Sequence, residues 1–177
     1  SYHRPVAAVA LPASYKHAQA FATGGANAQF IINTKGWFGP KDTVVHAGEG
    51  PIHAIAWAGD LVAWANNLGV KVFDYSVPER ISFIARPKGS PSPELYRCNL
   101  CWAREDVLYI GWADAVRVGQ IKQRQRVEKG AKPVPGNRYL QIIAMFQTDY
   151  YICGIAPLNE HIVLLAYMED DEGSGGG

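Results

Sequence analysis

Sulfur-containing residues are few in this 177-residue chain, which has three cysteines and two methionines. An odd and small number of cysteines does not build a disulfide framework, so we expect free thiols and a reducing compartment. The chain also lacks an apolar run long enough to span a bilayer, and its first 14 residues are too short and too soon interrupted for a signal peptide. These absences predict a cytoplasmic protein.

An excess of charge of one sign is also missing, because 17 Lys and Arg balance 16 Asp and Glu. The net charge of +1 gives no overall attraction to nucleic acid or to an anionic membrane, so any such attraction must be local. What the chain does contain is apolar material. Its hydrophobic content of 48% excludes a disordered chain and suffices for one well-packed domain.

Motifs for catalysis, cofactor binding or metal binding are scarce. Cys98 and Cys101 have C-x-x-C spacing, but an offset of three along a strand places the two thiols on opposite faces, and no second motif completes four zinc ligands. We interpret them as small apolar side chains, and keep a thiol oxidoreductase as an alternative that requires a disulfide between them. Two glycine-rich segments, 22–28 and 46–51, are interpreted as turns. Five scattered histidines suggest no catalytic set, and His53 is expected to hydrogen-bond within or between sheets.

A repeated pattern of short apolar runs organises the chain. The stretches PVAAVAL, PIHAIAW and YRCNLCW end at Leu11, Trp57 and Trp102, at steps of 46 and 45 residues. Each is followed by a second run, a polar turn and a third run, as in LVAWANNLGVKVFD at 61–74, whose Asn and Gly suit a tight β-turn. A fourth, amphipathic run closes each unit. Four short strands about every 45 residues match the repeat of a WD-type β-propeller.

The fold class predicted from this pattern is all-β, a WD-repeat-like β-propeller of about three and a half blades and about fourteen strands. Runs such as LVAW and YYICGI are apolar on both faces, as expected when each sheet is stacked between neighbours. Segment 12–20 is too short and too polar for a helix and is predicted to be a loop. Five large side chains are predicted to be buried in the core: Trp57, Trp64, Trp102, Ile110 and Ile155.

Domain boundaries follow from the same runs. A partial propeller is expected over residues 1–168. Its blades are expected at about 5–46, 51–85 and 96–146, with a half blade at 150–168. Because such a set of blades does not close a ring, we expect the chain to be a piece of a larger domain. Residues 169–177, acidic and then Gly-rich, are predicted to form a flexible tail or linker.

Long stretches of the sequence also resemble one protein family. They run from GWFGPKDTVVH to SPELY at 36–96, and continue with CNLCW, VLYIGWADAVRVGQI and YYICGIAPLNEHIVLLAY. These stretches are similar to the N-terminal propeller of the vacuolar protein sorting-associated protein 41 family, whose members are subunits of the HOPS tethering complex. The chain departs from the common WD pattern, since Phe73-Asp74 and Val118-Gly119 stand where Trp-Asp is usual.

The resemblance implies a non-enzymatic scaffold, about half of a seven-bladed propeller, that recognises a Rab-seven-type GTPase or vesicle adaptor machinery. In that family the subunit works with other HOPS subunits to tether vesicles, late endosomes and autophagosomes to the vacuole or lysosome before fusion. The implied location is cytoplasmic and peripheral on the late-endosome and vacuole or lysosome membrane. Peripheral contact with the membrane fits this picture, and no cofactor or nucleic acid is expected.

Loop residues supply the candidate binding sites. We predict interfaces at Trp37, Phe38 and Lys41 on one rim and at Arg86 and Lys88 on another, because turn aromatics and loop arginines are residue types that form hot spots. Trp37 and Phe38 occupy a turn bounded by glycines. For these two rings, folding back onto the sheet edge is favoured over presentation to a partner.

A basic segment, KQRQRVEKGAK at 122–132, carries five cations and one anion in the longest loop between strands. Its composition favours a solvated, disordered loop. The alternative function is a propeller that binds anionic lipid or RNA through this loop. The cations are Lys122, Arg124, Arg126, Lys129 and Lys132.

Overall fold

Fourteen strands and one short helix make up residues 5–124 and 137–168, the part of the chain that this computed structural model describes. The strands form four antiparallel sheets in chain order, three with four strands and one with two. The predicted all-β class and the repeat of four strands are therefore confirmed.

Each strand pairs with the next one along the chain within its sheet. Sheet 1 contains β1 to β4, at Ala8–Ala10, Ala20–Gly24, Gln29–Gly36 and Gly39–Ala47. Sheet 2 contains β5 to β8, at Ala54–Ala58, Leu61–Asn66, Gly69–Asp74 and Glu79–Ala85. Sheet 3 contains β9 to β12, at Asn99–Arg104, Val107–Trp112, Ala115–Gln123 and Arg138–Gln147. Sheet 4 contains β13 and β14, at Tyr151–Leu158 and His161–Tyr167.

The β6–β7 hairpin illustrates why the apolar runs become paired strands. At its end Asn66 pairs with Gly69, and the Asn66 side-chain oxygen accepts hydrogen bonds from the backbone N–H groups of Leu68 (3.1 Å) and Gly69 (3.3 Å). This bonding of the side chain to nearby backbone is a characteristic turn chemistry of Asn. Both strands are buried along their whole length, because alternate side chains face two different neighbouring sheets.

Stacking between sheets forms the core. The first strands of successive sheets contact one another, β1 with β5, β5 with β9 and β9 with β13, so these strands line a common axis. Between sheets 1 and 2, the rings of Phe30 and Trp64 stack with centroids 4.3 Å apart and planes 9° from parallel. Between sheets 2 and 3, Val72 shares an apolar cluster with Leu108. Sheets 2 and 3 therefore each lie between two neighbours.

The predicted core is confirmed for three of its five residues. Trp57 is 9% exposed, Trp64 is 1% exposed, and Ile110 is equally well buried. Trp102 is half-buried, and its indole Nε1 donates a hydrogen bond of 3.1 Å to a backbone carbonyl of sheet 2. Ile155 is half-buried because, within the described residues, no sheet covers the far side of sheet 4.

The prediction that segment 12–20 is a loop is wrong at its centre. Helix α1 (Tyr15–Ala18) forms there, because the Ser14 carbonyl accepts hydrogen bonds from the backbone N–H groups of His17 (3.0 Å) and Ala18 (3.1 Å). One such closed turn needs no apolar periodicity, which is why the pattern did not reveal it. No helix in the described ranges is long and apolar enough to cross a membrane.

Replacing Trp64 by Ala should destabilise the chain by about 3–5 kcal/mol, because it opens a cavity in the stacked joint between sheets 1 and 2. The measurement is the free energy of unfolding in urea, followed by far-ultraviolet circular dichroism. Trp37→Ala is the matched control, since the same change at a fully exposed site should alter stability by less than about 0.5 kcal/mol. Equal losses in both variants would contradict sheet stacking as the source of stability.

Candidate functional site

A buried polar cluster joins the connection after sheet 1 to sheet 2. Lys71 in β7 is almost fully buried and pairs with the Glu49 carboxylate, while its ammonium donates to the Asn66 side-chain oxygen at 3.2 Å. Asn66 in turn donates to Glu49 at 3.3 Å, and the His46 Nε2 atom lies 3.2 Å from the same carboxylate oxygen. The Lys71 ammonium also lies 4.7 Å from the centroid of the Phe83 ring. Because a buried charge is costly unless it is paired, this cluster fixes how the connection sits on sheet 2.

The pKa values of two groups in this cluster, Glu49 and His46, are both lowered. Hydrogen bonding from Lys71 lowers the pKa of Glu49, against the opposing effect of burial. Burial lowers the pKa of His46, and the positive charges of Lys71 and Arg80 lower it further, whereas Glu49 acts to raise it. Burial is the largest of these effects, so the pKa of His46 is lowered overall. The His46 ring is therefore predominantly neutral at pH 7.

A second polar joint connects sheets 2 and 3. Asp74, fully buried at the end of β7, accepts hydrogen bonds from the Ser76 hydroxyl (2.6 Å) and from the Ser76 backbone N–H (3.0 Å). At the start of β12, the Arg138 Nε donates to Asp74 at 2.7 Å, and the Arg138 Nη2 forms an ion pair with it. Burial alone would raise the pKa of Asp74, but the hydrogen bonds from Ser76 and Arg138 outweigh it and lower the pKa. In the Phe73-Asp74 pair, which stands where Trp-Asp is usual, the aspartate is therefore present and has a structural role.

All three cysteines are free, and the two in the C-x-x-C motif are unsuited to nucleophilic chemistry. Cys98 lies one residue before β9 and is buried, and Cys101 lies within β9 and is half-buried. Burial raises the pKa of both thiols, so neither is held as a reactive thiolate. The disulfide required by the oxidoreductase alternative is not formed. Cys153, in β13, is exposed and free.

The described histidines do not form a catalytic set, and one of them, His53, makes a hydrogen bond within sheet 2. His53 Nε2 lies 2.6 Å from the side-chain oxygen of Asn67, in the turn between β6 and β7, as the sequence predicted. His17 lies in α1 and His161 begins β14, far apart in the chain and in different sheets. Over residues 5–124 and 137–168, no group of three His, Cys, Asp or Glu side chains could hold a metal ion.

The turns lie on two faces of the stacked sheets. We name one of them the lower face. It carries the turns that join the first strand to the second, and the third strand to the fourth, in each sheet. The upper face has the turns from second to third strand and the connections between sheets. On the lower face, the Asp74–Arg138 pair brings together the ends of β7 and the start of β12. On the upper face, the backbone N–H of Arg86, in the connection from β8 to β9, donates to Leu68 in the β6–β7 turn at 2.9 Å.

The predicted aromatic pair lies at the tip of the β3–β4 hairpin on the lower face. Trp37 is 97% exposed and Phe38 is 102% exposed, so the expectation that they fold back onto the sheet is wrong. Gly36 pairs with Gly39, which adopts a φ of +125°, and a Cβ placed at Gly39 would meet nothing within 4 Å. The turn thus presents both rings to solvent, although Trp37 also lines an open concave surface together with Tyr15 and Phe21. Lys41, which was predicted with this pair, is exposed two residues further along the chain.

The second predicted pair, Arg86 and Lys88, lies on the opposite, upper face. The Arg86 Nη1 donates a hydrogen bond of 3.2 Å to the Pro91 carbonyl, which shapes the connection, while Lys88 is exposed. The same connection presents Leu95, 77% exposed, which sequence reasoning did not select. Its signal was available, because it is a leucine in a Pro- and Ser-rich connector. The two predicted interfaces are therefore separate surfaces.

The basic loop begins on the lower face at the end of β11. The structure describes its first two cations, Lys122 and Arg124. Three cations of the prediction lie outside the described residues: Arg126, Lys129 and Lys132. Arg124 and Asn137 close the base of the loop, with the Arg124 backbone N–H donating to Asn137 at 2.8 Å and the Asn137 amide donating back at 2.7 Å. The Arg124 guanidinium also lies 5.8 Å from the centroid of the Tyr139 ring.

Stacked four-stranded sheets, polar joints between them and exposed turns define a β-propeller, a class of fold whose loops carry binding sites on a rigid frame. A family model of the Vps41 β-propeller, described as "Vps42 beta-propeller", matches residues 1–176. The chain belongs to this family.

Curated relatives carry the same family name. The "Vacuolar protein sorting-associated protein 41 homolog" of Arabidopsis thaliana is 43% identical over 171 residues, which cover 94% of this chain and 17% of the relative. The homolog of Solanum lycopersicum is 44% identical over 179 residues, covering 97% and 18%. The homolog of Homo sapiens is 39% identical over 151 residues, covering 85% and 17%. The chain spans less than a fifth of the length of these relatives.

Solved structures are similar in fold. The computationally designed Ika4 protein has a TM-score of 0.62 at 12% identity, over 94% of this chain and 88% of that chain. Hsv2 of Kluyveromyces lactis has a TM-score of 0.56 at 13% identity, over 82% of this chain and 48% of that chain. At these identities the likeness concerns the fold alone.

Replacing Asp74 by Asn should lower the free energy of unfolding by about 2–4 kcal/mol, because it breaks a buried ion pair and leaves Arg138 without its counterion. Urea unfolding at neutral pH measures this loss. The control is Arg104→Gln, which removes an exposed pair with Asp106 at 3.9 Å and should cost less than about 0.5 kcal/mol. A similar loss in both variants would mean that the Asp74 joint does not hold sheets 2 and 3 together.

Mild acid should weaken the joint between sheets 1 and 2. Folding lowers the pKa of His46 below the ordinary value of 6.5, so its contribution to stability is complete above pH 6.5 and is lost as the pH falls through the folded-state pKa. Glu49, whose pKa is also lowered, loses its contribution only below its ordinary value of 4.5. The unfolding free energy should therefore fall as the pH decreases from about 6.5 to about 5. The decline should be shallower in His46→Gln, and identical slopes would contradict a buried neutral His46.

Proposed function

We propose that this propeller is the non-catalytic recognition domain of a vacuolar-sorting tether. The observation that carries the proposal is the family match across residues 1–176, together with relatives named for vacuolar protein sorting. In this proposal the chain acts with other subunits of a HOPS-type complex and binds a Rab-seven-type GTPase or vesicle adaptor machinery. It works at the cytoplasmic surface of late endosomes and of the vacuole or lysosome.

The state of the polar side chains supports a role without catalysis. Lys71 and Asp74, the buried charged residues of β7, are both committed to pairs that join neighbouring sheets. The thiols of Cys98 and Cys101 have raised pKa values because they are buried. Groups that are held in this way stabilise the fold and are not available to exchange protons or attack a substrate.

We assign protein recognition to an upper patch, defined as Arg86, Lys88 and Leu95. Hydrogen bonds hold the backbone of this connection at both ends, from Arg86 to Leu68 and from Tyr96 to the Ser92 carbonyl (3.0 Å). A loop that is already ordered loses less conformational entropy when a partner binds. An exposed leucine in the same connection as two cations suits a partner surface that offers both an apolar contact and carboxylates.

Binding of a purified Rab-seven-type GTPase tests this proposal, with the GTPase loaded either with a non-hydrolysable GTP analogue or with GDP. Biolayer interferometry should give tighter binding to the GTP-like state. The double variant Lys88→Glu/Leu95→Ser should weaken binding at least about tenfold, as expected for a hot-spot side chain and a complementary charge.

Lys41→Glu serves as the control, because it makes the same change of charge on the lower face and should leave the affinity for the GTPase unchanged. Binding that ignores the nucleotide would argue against a GTPase-effector role. Binding that survives Lys88→Glu/Leu95→Ser would remove the upper patch as the recognition surface.

A further inference from the structure

The aromatic turn at Trp37 and Phe38 is not explained by folding. Both side chains are fully exposed, so they add nothing to the core. Nor do they suit the turn itself, because tight turns favour Gly, Asn, Asp and Pro, whereas this turn places two large apolar rings between Gly36 and Gly39. Two exposed aromatic residues at one point indicate a surface that meets something outside the described chain.

The hairpin that carries the rings is held firmly. Its register pairs Thr34 with Lys41 and Lys35 with Pro40, right up to the turn. The Thr34 hydroxyl donates to the Lys41 carbonyl at 3.3 Å, and the Lys35 backbone N–H donates to the Gln19 carbonyl, next to α1, at 2.9 Å. The rings are thus presented on an ordered support, which lowers the entropy lost when they become buried.

Charge around the turn is mainly positive. Residues 1–41 contain four Lys and Arg and no Asp or Glu, in a chain whose overall charges nearly balance. Of these cations, Lys16 lies in α1 and Lys35 and Lys41 flank the aromatic turn, so all three belong to the lower face of sheet 1. The first acidic residue is Asp42. Sheet 1 therefore presents the two rings with three lysines and one exposed carboxylate, Asp42, at this face.

Apart from Asp42, the described acidic residues of the lower face lie on sheets 2 to 4. Asp60 and the pair Glu105 and Asp106 occupy turns between the first and second strands of sheets 2 and 3. Because first strands line the common axis, these turns are near the axis, whereas the β3–β4 turn is at the outer part of sheet 1. A flat anionic surface could meet the outer tip of sheet 1 without meeting these carboxylates near the axis. Glu79, exposed at the start of β8, is not among them, because its turn lies at the outer part of sheet 2.

We propose that the aromatic turn inserts into the interface of an anionic lipid bilayer. Trp and Phe rings would enter the boundary between headgroups and acyl chains, while Lys35, Lys41 and Lys16 pair with lipid phosphates and carboxylates. Charge favours a bilayer over a protein partner, because three lysines beside two exposed rings combine the aromatic and cationic residues that anchor proteins at an anionic membrane interface. The proposal does not depend on the upper patch or on its GTPase partner.

Vesicle binding tests the insertion. The chain is mixed with vesicles of phosphatidylcholine, with or without phosphatidylserine, and the bound fraction is measured by flotation. Trp37 is the one fully exposed indole among the five tryptophans, since the other four are buried or half-buried. Its fluorescence should shift to shorter wavelength with the anionic vesicles and should resist a water-soluble quencher. The shift should be absent in Trp37→Phe, although that variant still binds.

Two double variants separate the aromatic from the charge contribution. Trp37→Ser/Phe38→Ser should lower the partition onto anionic vesicles at least about tenfold. Lys35→Gln/Lys41→Gln should lower it about fivefold for each lysine and should remove most of the dependence on phosphatidylserine. The upper-face variant Lys88→Gln/Leu95→Ser, which makes matched changes, should bind as the unmodified chain does. An unchanged thermal unfolding midpoint in each variant confirms that the fold is intact.

Three results would overturn the proposal. The first is no binding of the unmodified chain to anionic vesicles. The second is binding that is equal in the Trp37→Ser/Phe38→Ser variant, which would move the membrane contact elsewhere. The third is loss of binding to a purified protein partner in that variant while vesicle binding is unaffected, which would make the turn a protein hot spot.

Discussion

Apolar packing between neighbouring sheets is the constraint on which the other features depend. Strands such as β6 bury side chains on both faces, so a sheet cannot lose a neighbour without exposing part of its core. The stacked rings of Phe30 and Trp64 are the clearest contact of this kind. Because stability resides in the stack, the turns on both faces are free to carry residues that do nothing for folding.

Polar joints give the stack its geometry. Apolar attraction has no preferred direction, whereas a buried ion pair is satisfied in one arrangement. Both joints start from β7, where Lys71 and Asp74 are three residues apart and so point to opposite faces of the strand. Lys71 engages the connection from sheet 1, and Asp74 engages Arg138 of sheet 3. One strand therefore sets the position of sheet 2 against both of its neighbours.

Local features of this fold could be predicted from sequence, and distant pairings could not. Apolar alternation and turn residues located the strands because both signals act over a few residues. The partner of Asp74 lies 64 residues away, so no local pattern named Arg138, although a Lys and an Asp inside the apolar run of β7 signalled that buried partners exist. The exposure of the Trp37 ring could not be predicted from local sequence either, because local sequence does not show how far a hairpin extends past its sheet.

The uneven setting of the three thiols has a practical consequence. The thiolate is the form that attacks thiol-reactive reagents, and burial disfavours it in Cys98 and Cys101, whereas Cys153 is exposed on β13. A maleimide dye at near-neutral pH should therefore attach at one site without any engineered cysteine. Such a dye would sit on sheet 4, with sheets 2 and 3 between it and the aromatic turn of sheet 1, and would report on association at that turn without blocking it. It would lie nearer the upper patch, because the ring of Tyr96, next to Leu95, lies 4.3 Å from that of Tyr151, two residues before Cys153.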